Sequence, residues 1–481
     1  MKLFAKIAAT GLVAVGMTQA TVNFPFPQMS DYGGNATLLS NKEAASLQLK
    51  TQFTYWLNTM YNESGDVAGI RSNPGSNEYF SEGIGYGMLL MVYFSDNTTS
   101  YQAQFDKLWA LYKKFDDGNG LMHWKVGNLS EVWDSGAALD GDIDAAAALI
   151  MAAYQFGDDK YLAEAKTLIK AMKAHEFESN GLHLPGDSWG DAAYNRKNPG
   201  YFDPAYMPLF AAVDTDNSTF WSSTAYDANM GLYEASSNEV STGLIDDWTD
   251  KNGRSEDDYY SYDASRAPWR NAKAVCWHGD QRALAIDKKM AAFVSKISAS
   301  SMNGPVIRSS GNLGNDHNST FVTSLMTALI SDPSYQSKLD EYWAEAVALG
   351  NENYFNQSLK LLNGLLVSGN MPNLAAGTPG GGGNGGGNGG ENGGGEDNPT
   401  TALPRATTNS THFSFANNTV NLNLQGLSHV ELLNLQGQKV QTLWSGNSNE
   451  SASLKVNAKQ GIYLVRVQGM GIHETHKIAV K

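Results

Sequence analysis

A long run of glycine and asparagine divides the sequence into two parts that must fold separately. Residues 376–405 read AGTPGGGGNGGGNGGENGGGEDNPTTALPR. A stretch with so few apolar side chains cannot contribute to a hydrophobic core, and its composition is typical of a flexible linker. The sequence therefore predicts a large domain over residues 21–375 and a small domain over residues 406–481.

The first twenty residues, 1–20, have the pattern of a secretory signal peptide. Two lysines precede a short apolar run, and the small residues Thr18 and Ala20 lie at the expected cleavage site. No later stretch holds about 18 consecutive apolar residues, so no membrane span is predicted. The single cysteine, Cys276, excludes an internal disulfide and is interpreted as buried packing rather than as a nucleophile.

The charge balance argues against strongly anionic partners. The chain has 49 Asp and Glu against 34 Lys and Arg, a formal net charge of −15, which disfavours nucleic acid and anionic membranes. We also expect no metal and no cofactor. The nine histidines are scattered without an H-E-x-x-H pattern. The acidic run beginning at Asp140 lacks the glycine and glutamate of a calcium loop, and GIGYG lacks the spacing of a dinucleotide site.

Apolar residues in the large part recur at helical spacing, which predicts an all-α domain. Strand-like alternation is scarce there, and the helical segments suggest a closed ring of paired helices around a central cleft. The predicted helices lie at residues 42–60, 82–95, 101–115, 141–156, 160–174, 205–213, 226–235, 268–276, 280–298, 317–330, 336–349 and 354–367.

The small part alternates apolar and polar residues in short runs such as VNLNL and YLVRVQ, which predicts an antiparallel β-sandwich. It shows no convergent carboxylates or histidines. The stretches VELLNLQGQKV, KQGIYLVRV and HKIAVK resemble the C-terminal sorting domains of proteins exported by the type IX secretion system. That resemblance implies a secreted or cell-surface bacterial protein with the secretion machinery as a partner. A small carbohydrate-binding module is the alternative interpretation.

Three carboxylates of the large part are candidates for catalysis. Glu82 follows Ser81, a good N-cap, and lies in the first turn of a predicted helix that continues with the glycine-rich stretch GIGYG. Asp140 lies just ahead of another predicted helix. Asp263 lies in DDYYSYDASRAPWR, where the surrounding tyrosines and Trp269 indicate a lined cleft. Acidic groups beside aromatic rings are typical of sugar chemistry, because glycosidic cleavage requires an acid and a base on opposite faces of the bond.

The large part resembles glycoside hydrolase family 8. The likeness rests on six segments in family order: SEGIGYGMLL, LMHWKV, AALDGDIDAAAALIMAAYQF, LPGDSWG, NPGYFDPAYMPLFA and YDASRAPWR. It implies an (α/α)6 barrel and an inverting, endo-acting hydrolase of β-1,4-glucan, either cellulose or mixed-linkage glucan. Xylanase, lichenase and chitosanase activities of the same family stay open, as does a non-catalytic glycan-binding protein. A serine hydrolase is a further alternative, because GDSWG fits the G-x-S-x-G pattern.

The resemblance implies a role for each candidate residue. Glu82 would be the general acid, Asp263 the general base, and Asp140 the residue that binds and distorts the sugar at the cleavage point. The carboxyl groups of acid and base should lie about 6.5–9.5 Å apart. The substrate-binding residues that it implies are Trp124, Trp189, Tyr201, Tyr262 and Arg266.

Two further expectations concern the surroundings of Glu82. The glycines that follow it are expected to leave room for a polysaccharide chain over the end of the helix. A nearby like charge on Asp140 is expected to help Glu82 keep its proton near neutral pH. The sequence also departs from the family pattern at Gly200, where serine is common, next to Tyr201.

Overall fold

The computed structural model describes residues 22–189 and 195–376 of the large part. In the small part it describes residues 414–416, 418–423, 427–434, 439–447, 451–469 and 472–480. The predicted signal peptide lies outside these residues, as does nearly all of the predicted linker. Within these ranges, no helix combines the length and the apolar character that a membrane span requires.

The described residues of the large part form twelve α-helices, one for each helical segment predicted from the sequence. They are α1 (Lys42–Thr59), α2 (Ser81–Phe94), α3 (Gln102–Lys114), α4 (Leu139–Phe156), α5 (Lys160–His175), α6 (Met207–Val213), α7 (Tyr226–Glu239), α8 (Arg266–His278), α9 (Gln281–Val294), α10 (Ser319–Ala328), α11 (Gln336–Ala348) and α12 (Tyr354–Val367).

The helices alternate between an inner and an outer ring. Every residue of α2 and α10 is buried, and nearly every residue of α4 and α12 is buried as well, so these helices have no solvent face. The outer helices bury one side only, as α1 does with Leu49, Phe53 and Trp56. Around the inner ring α2 packs on α4, α8 on α10, α10 on α12, and α12 again on α2. The prediction of an (α/α)6 barrel is confirmed.

Short strands join the helices, which the sequence analysis did not predict. A three-stranded sheet consists of β3 (Glu78–Phe80), β4 (Lys125–Gly127) and β5 (Glu131–Asp134), and another of β8 (Tyr259–Tyr260), β9 (Gly304–Ile307) and β10 (Asn312–Asp316). The remaining strands form two-stranded sheets, β1 (Tyr61–Ser64) with β2 (Val67–Ile70) and β6 (Arg196–Lys197) with β7 (Thr249–Asp250). Strands of two to five residues are too short to show a clear alternation.

The glycines after Glu82 face protein and not open space, so the expectation that they admit the substrate is wrong. A Cβ atom on Gly85 would lie 2.8 Å from the carbonyl oxygen of Gly141 in α4. In return, a Cβ on Gly141 would lie 2.6 Å from the backbone of Ser81. The glycines therefore allow α2 and α4 to approach closely. Ser81 is the first residue of α2 and not its N-cap, because Phe80 holds that position without a capping side chain.

Buried ion pairs connect α4 and α8 in the barrel interior. Arg270 of α8 donates to Asp144 of α4 over 2.8 Å and to Asp203 over 3.2 Å, and Lys273 lies 2.7 Å from Asp203. All four side chains are fully buried. Burial lowers the pKa of Lys273 to about 8, although the charge of Asp203 acts in the opposite direction. The predicted burial of Cys276 on the same helix is confirmed.

The small part is the predicted β-sandwich. Its described strands are β11 (Ser414–Ala416), β12 (Thr419–Asn423), β13 (Leu427–Leu433), β14 (Lys439–Asn447), β15 (Ser451–Lys455), β16 (Gly461–Gly469) and β17 (Ile472–Val480). They form antiparallel sheets in the orders β11-β12-β15 and β14-β13-β16-β17. Apolar residues of both sheets, such as Leu422 and Val465, share one hydrophobic core that is separate from the core of the barrel.

Candidate active site

The first turns of four inner helices converge on one cavity of about 390 Å³. Glu82 is the second residue of α2, Asp140 the second of α4, Arg266 the first of α8 and Tyr354 the first of α12. All four line the cavity, together with Asp263 just ahead of α8. Helix N-termini carry partial positive charge, and negatively charged groups are attracted to them. The convergence of four such ends therefore suits a cavity lined by the carboxylates that the sequence analysis selected.

Arg266 contacts all three carboxylates. Its Nη1 atom donates to Oε1 of Glu82 over 2.6 Å and to Oδ2 of Asp140 over 2.5 Å. Its Nη2 atom donates to Oδ1 of Asp263 over 2.8 Å. Arg266 is 3% exposed, and its guanidinium lies against the ring of Tyr201, with the guanidinium carbon 4.8 Å from the ring centroid. A planar guanidinium can bind several carboxylates at once, which a lysine could not do with the same geometry.

The carboxyl group of Glu82 is held on both oxygens. In addition to the contact with Arg266, Oε1 accepts a hydrogen bond from the hydroxyl of Tyr86 over 3.0 Å. The other oxygen, Oε2, accepts from the hydroxyl of Tyr354 over 2.7 Å. The residue is 8% exposed and borders the cavity, so it is fixed in position and still open to a bound molecule.

Asp140 is 4% exposed. Burial raises the pKa of Asp140 to about 7; the nearby charge of Arg266 opposes this rise, and that of Glu82 adds to it. Its Oδ1 atom accepts from the backbone N–H of Gly141 over 2.9 Å. Asp140 and Glu82 therefore form a pair of acidic groups on one guanidinium nitrogen.

Asp263 differs from the other two carboxylates because its side chain is 38% exposed. Arg266 binds its Oδ1 atom, and the indole N–H of Trp248 donates to its Oδ2 atom over 3.0 Å. Asp247 fixes the backbone on both sides of Asp263, because its Oδ1 atom accepts hydrogen bonds from the backbone N–H groups of Ser261 and Ala264, each over 2.7 Å. Asp263 is therefore both oriented and open to solvent.

The loop before Tyr201 also packs against Asp263. A Cβ atom on Gly200 would lie 2.3 Å from the backbone carbonyl oxygen of Asp263. The departure from serine noted in the sequence therefore permits this close approach. Tyr201 is 9% exposed, lines the cavity and makes no hydrogen bond through its hydroxyl group to any residue that the structure describes.

The structure brings most of the predicted sugar-binding residues together. Trp124 and Tyr262 line the cavity, and the ring of Trp124 stacks on Phe80 with centroids 5.7 Å apart. Trp189 does not line the cavity. It is 41% exposed, and its ring centroid lies 5.9 Å from that of Trp248.

The sequence analysis missed four residues that hold the candidate carboxylates. Trp248 and Asp247 position Asp263, while Tyr86 and Tyr354 bind Glu82. The aromatic pair at the start of the last predicted helix, in NYFNQ, was the one available signal, and it points to Tyr354.

The other chemical patterns of the sequence do not form sites in the described residues. Residues 184–187, which precede Ser188, form no strand, so the strand that a nucleophile elbow requires ahead of its serine is not formed there. No group of three or more His, Cys, Asp and Glu side chains could hold a metal ion within the described ranges.

An (α/α)6 barrel whose inner helices direct carboxylates of unequal exposure into an aromatic-walled cavity has the architecture of a glycoside-cleaving enzyme. The family model named "Glycosyl hydrolases family 8" matches residues 44–369, and the chain belongs to this family. A second family model, "Secretion system C-terminal sorting domain", matches residues 416–481. The chain is therefore a glycoside hydrolase with a sorting domain, and it is a secreted or cell-surface bacterial protein.

Two of the known proteins with similar sequences are endoglucanases by name. Endoglucanase A of Acetivibrio thermocellus is 32% identical over 392 residues, which cover 76% of this chain and 79% of that protein. Endoglucanase 2 of Ruminiclostridium josui is 30% identical over 386 residues, 76% of this chain and 80% of that protein.

Among solved structures, the apo structure of the beta-1,3-1,4-glucanase from Paenibacillus sp. X4 matches with a TM-score of 0.67 and 24% identity. The match covers 73% of this chain and 99% of that one. At this level of identity, the likeness supports the fold alone.

Proposed function

We propose that the protein is an endo-β-1,4-glucanase that cleaves internal bonds of cellulose or mixed-linkage glucan with inversion. The observation that carries the proposal is that Arg266 holds a buried carboxyl, Glu82, and an exposed carboxylate, Asp263, on different nitrogens at one cavity. The names of the relatives support the choice of β-glucan over other polysaccharides of the same linkage type.

Glu82 is the proposed general acid. It protonates the leaving oxygen of the cleaved bond, and its position is fixed by Tyr86 and Tyr354. Asp140 contacts the same nitrogen of Arg266 as Glu82 does, and burial raises the pKa of Asp140 to about 7. Asp140 is also the proposed contact for the sugar at the cleavage point.

Asp263 is the proposed general base. Its contacts with Arg266 and Trp248 fix its orientation, and its exposed side chain can accept a proton from a water molecule. The hydroxyl of Tyr201 lines the cavity without a protein partner in the described residues, so it can bind the same water. In-line attack by that water requires a gap of about 6.5–9.5 Å between the carboxyl groups of acid and base.

The test compares the full chain with Glu82→Gln and Asp263→Asn on carboxymethyl-cellulose, barley β-glucan, xylan and chitosan, measured as release of reducing ends. We expect wild-type activity on the first two, and a decrease of about 10²–10⁴-fold in kcat for each variant. NMR of the first product should show the α-anomer, as inversion at a β-linkage demands. A β-anomer would overturn inversion, and full activity of either variant would remove that residue from the chemistry.

The same panel separates the alternatives. Activity confined to xylan or chitosan would retain the proposed acid and base and replace the substrate. A non-catalytic glycan-binding protein would bind the polysaccharides and release no reducing ends from any of them. Each alternative therefore predicts a different result in this experiment.

A further inference from the structure

Most exposed large apolar side chains of the described barrel residues lie in the segments that join the helices. Among the described residues, Trp133 is 47% exposed and its neighbour Val132 is 44% exposed, both on the outer strand β5. Trp189 is also exposed, beside Trp248. Leu47, by contrast, stands alone on outer helix α1 at 72% exposure. Single exposed residues of this kind are ordinary, whereas a flat ring beside a cleft calls for an explanation.

The sheet β3–β4–β5 connects Trp133 to the cavity. In β3, Phe80 lines the cavity and pairs with Lys125 of β4, so the two side chains lie on the same face. Gly127 lies on that face too, two residues along the strand. The ring of Trp133 covers Gly127, since a Cβ atom there would lie 1.8 Å from the indole. The opposite face carries Val126, which is buried in the core.

This geometry gives one continuous surface from the cavity to the outer strand. The Nζ atom of Lys125 lies over the rings of Phe80 and Trp124, at 5.6 and 5.7 Å from their centroids. Its charge is paired with Glu78 over 2.7 Å, so the surface between the rings is suited to a neutral molecule. Two strand spacings separate β3 from β5, a distance of about 10 Å, which is about the length of a disaccharide.

We propose that Trp133 is an outer sugar-binding platform, which stacks on the same β-linked glucan chain that occupies the cavity. The occupant must be an extended chain, because it has to reach from Phe80 across β4 to the outer strand. A sugar ring with equatorial hydroxyl groups presents an apolar C–H face, and the exposed indole is a flat apolar partner for it. The inference rests on the proposed function and extends its binding cleft on the side of Glu82.

The consequence is a dependence on chain length. A short oligosaccharide fills the cavity without reaching β5, whereas a longer one also covers Trp133. Replacing the indole should therefore weaken the binding of long chains only. From the apolar area that a half-exposed indole can bury, we expect a loss of about tenfold in affinity for long chains.

The test measures dissociation constants for the series from cellobiose to cellohexaose by calorimetry. The Glu82→Gln protein, which prevents cleavage during the measurement, is compared with the same protein carrying Trp133→Ala, Trp133→Phe or Leu47→Ala. We expect Trp133→Ala to lose about tenfold in affinity at the long end and less than about twofold for cellobiose. Trp133→Phe should recover part of the loss, and Leu47→Ala should match the parent at every length.

Two results would overturn the proposal. Equal affinity of the parent and Trp133→Ala for cellohexaose would show that the indole does not contact the chain. An equal loss at every length would indicate a general disturbance of the cleft. If the parent bound no cello-oligosaccharide, the proposed function would fail together with this inference, whereas either of the first two results leaves the proposed function intact.

Discussion

The indole N–H of Trp248 donates a hydrogen bond to Oδ2 of Asp263 over 3.0 Å, and the other oxygen of that carboxylate is bound by Arg266. The indole is in turn covered by Arg196, whose guanidinium carbon lies 4.5 Å from the ring centroid. A carboxylate with 38% exposure would otherwise be free to adopt several rotamers. Trp248 therefore fixes the orientation of the proposed base.

Replacing Trp248 with phenylalanine removes the hydrogen bond and keeps a ring beside Trp189. We expect kcat to fall by about tenfold while KM changes less than twofold. The reason is that losing one hydrogen bond from a neutral donor to a charged acceptor costs about 1.5 kcal/mol. Steady-state kinetics on barley β-glucan measures both constants. A rise in KM at constant kcat would instead assign Trp248 to substrate binding. The thermal midpoint of the variant serves as the control for folding.

Gly200→Ala should reduce activity through the backbone of Asp263. The added methyl group would meet the carbonyl oxygen of Asp263 at 2.3 Å, so one of the two loops must move. A displacement of about 1 Å of a catalytic group can lower kcat by about 10²-fold. Gly231→Ala is a matched control, since nothing lies within 4 Å of a Cβ atom there. Unchanged kcat in Gly200→Ala would show that the loops absorb the methyl group.

The buried ion pairs between α4 and α8 should govern the stability of the barrel. Asp203→Asn leaves Lys273 and Arg270 with one fewer negative charge in a site without solvent. We expect the free energy of unfolding to fall by about 3–5 kcal/mol, measured by urea denaturation. Asp227→Asn removes a partner of Arg282 at the surface and should stay within about 1 kcal/mol of wild type. Equal effects of the two substitutions would contradict this account.

A buried pair of acids should make stability depend on pH. Burial raises the pKa of Asp142 to about 8 and also that of the adjoining Glu176, which is fully buried as well. The folded chain therefore binds more protons than the unfolded chain above about pH 4, so this pair lowers stability as the pH rises from about 4 to 8. We expect the difference in thermal midpoint between Glu176→Gln and wild type to shift in favour of the variant as the pH rises from 5 to 8. A constant difference across this range would contradict the assignment.

The sequence was sufficient to predict the barrel because its helices have two clear patterns. Inner helices such as α2 are apolar runs that are too long for a strand, and outer helices such as α1 bury residues spaced by one helical turn, so both kinds can be recognised. The short strands were missed because three residues, as in β3 and β4, contain no period. Their absence from the prediction also concealed the surface that carries Trp133.

The sequence analysis selected the three carboxylates that line the candidate site and missed several side chains that hold them in position. Glu82, Asp140 and Asp263 lie in segments with a local pattern, and the cavity brings all three together. Tyr354 contacts Glu82 across 272 positions of the chain, which no local pattern can reveal. The glycines of α2 are a second example of what a local sequence pattern cannot reveal. A missing side chain indicates that something approaches closely, and only the structure identifies α4 as the neighbour.

The contact of one guanidinium with three carboxylates has an evolutionary consequence. A substitution at Glu82, Asp140 or Asp263 changes how Arg266 distributes its charge between the remaining two, so the effects of such substitutions should not add. A lineage could then exchange one of these acids only together with compensating changes at its neighbours. Strong epistasis around Arg266 would restrict variation at the centre of the barrel and leave divergence to the aromatic loops at its rim.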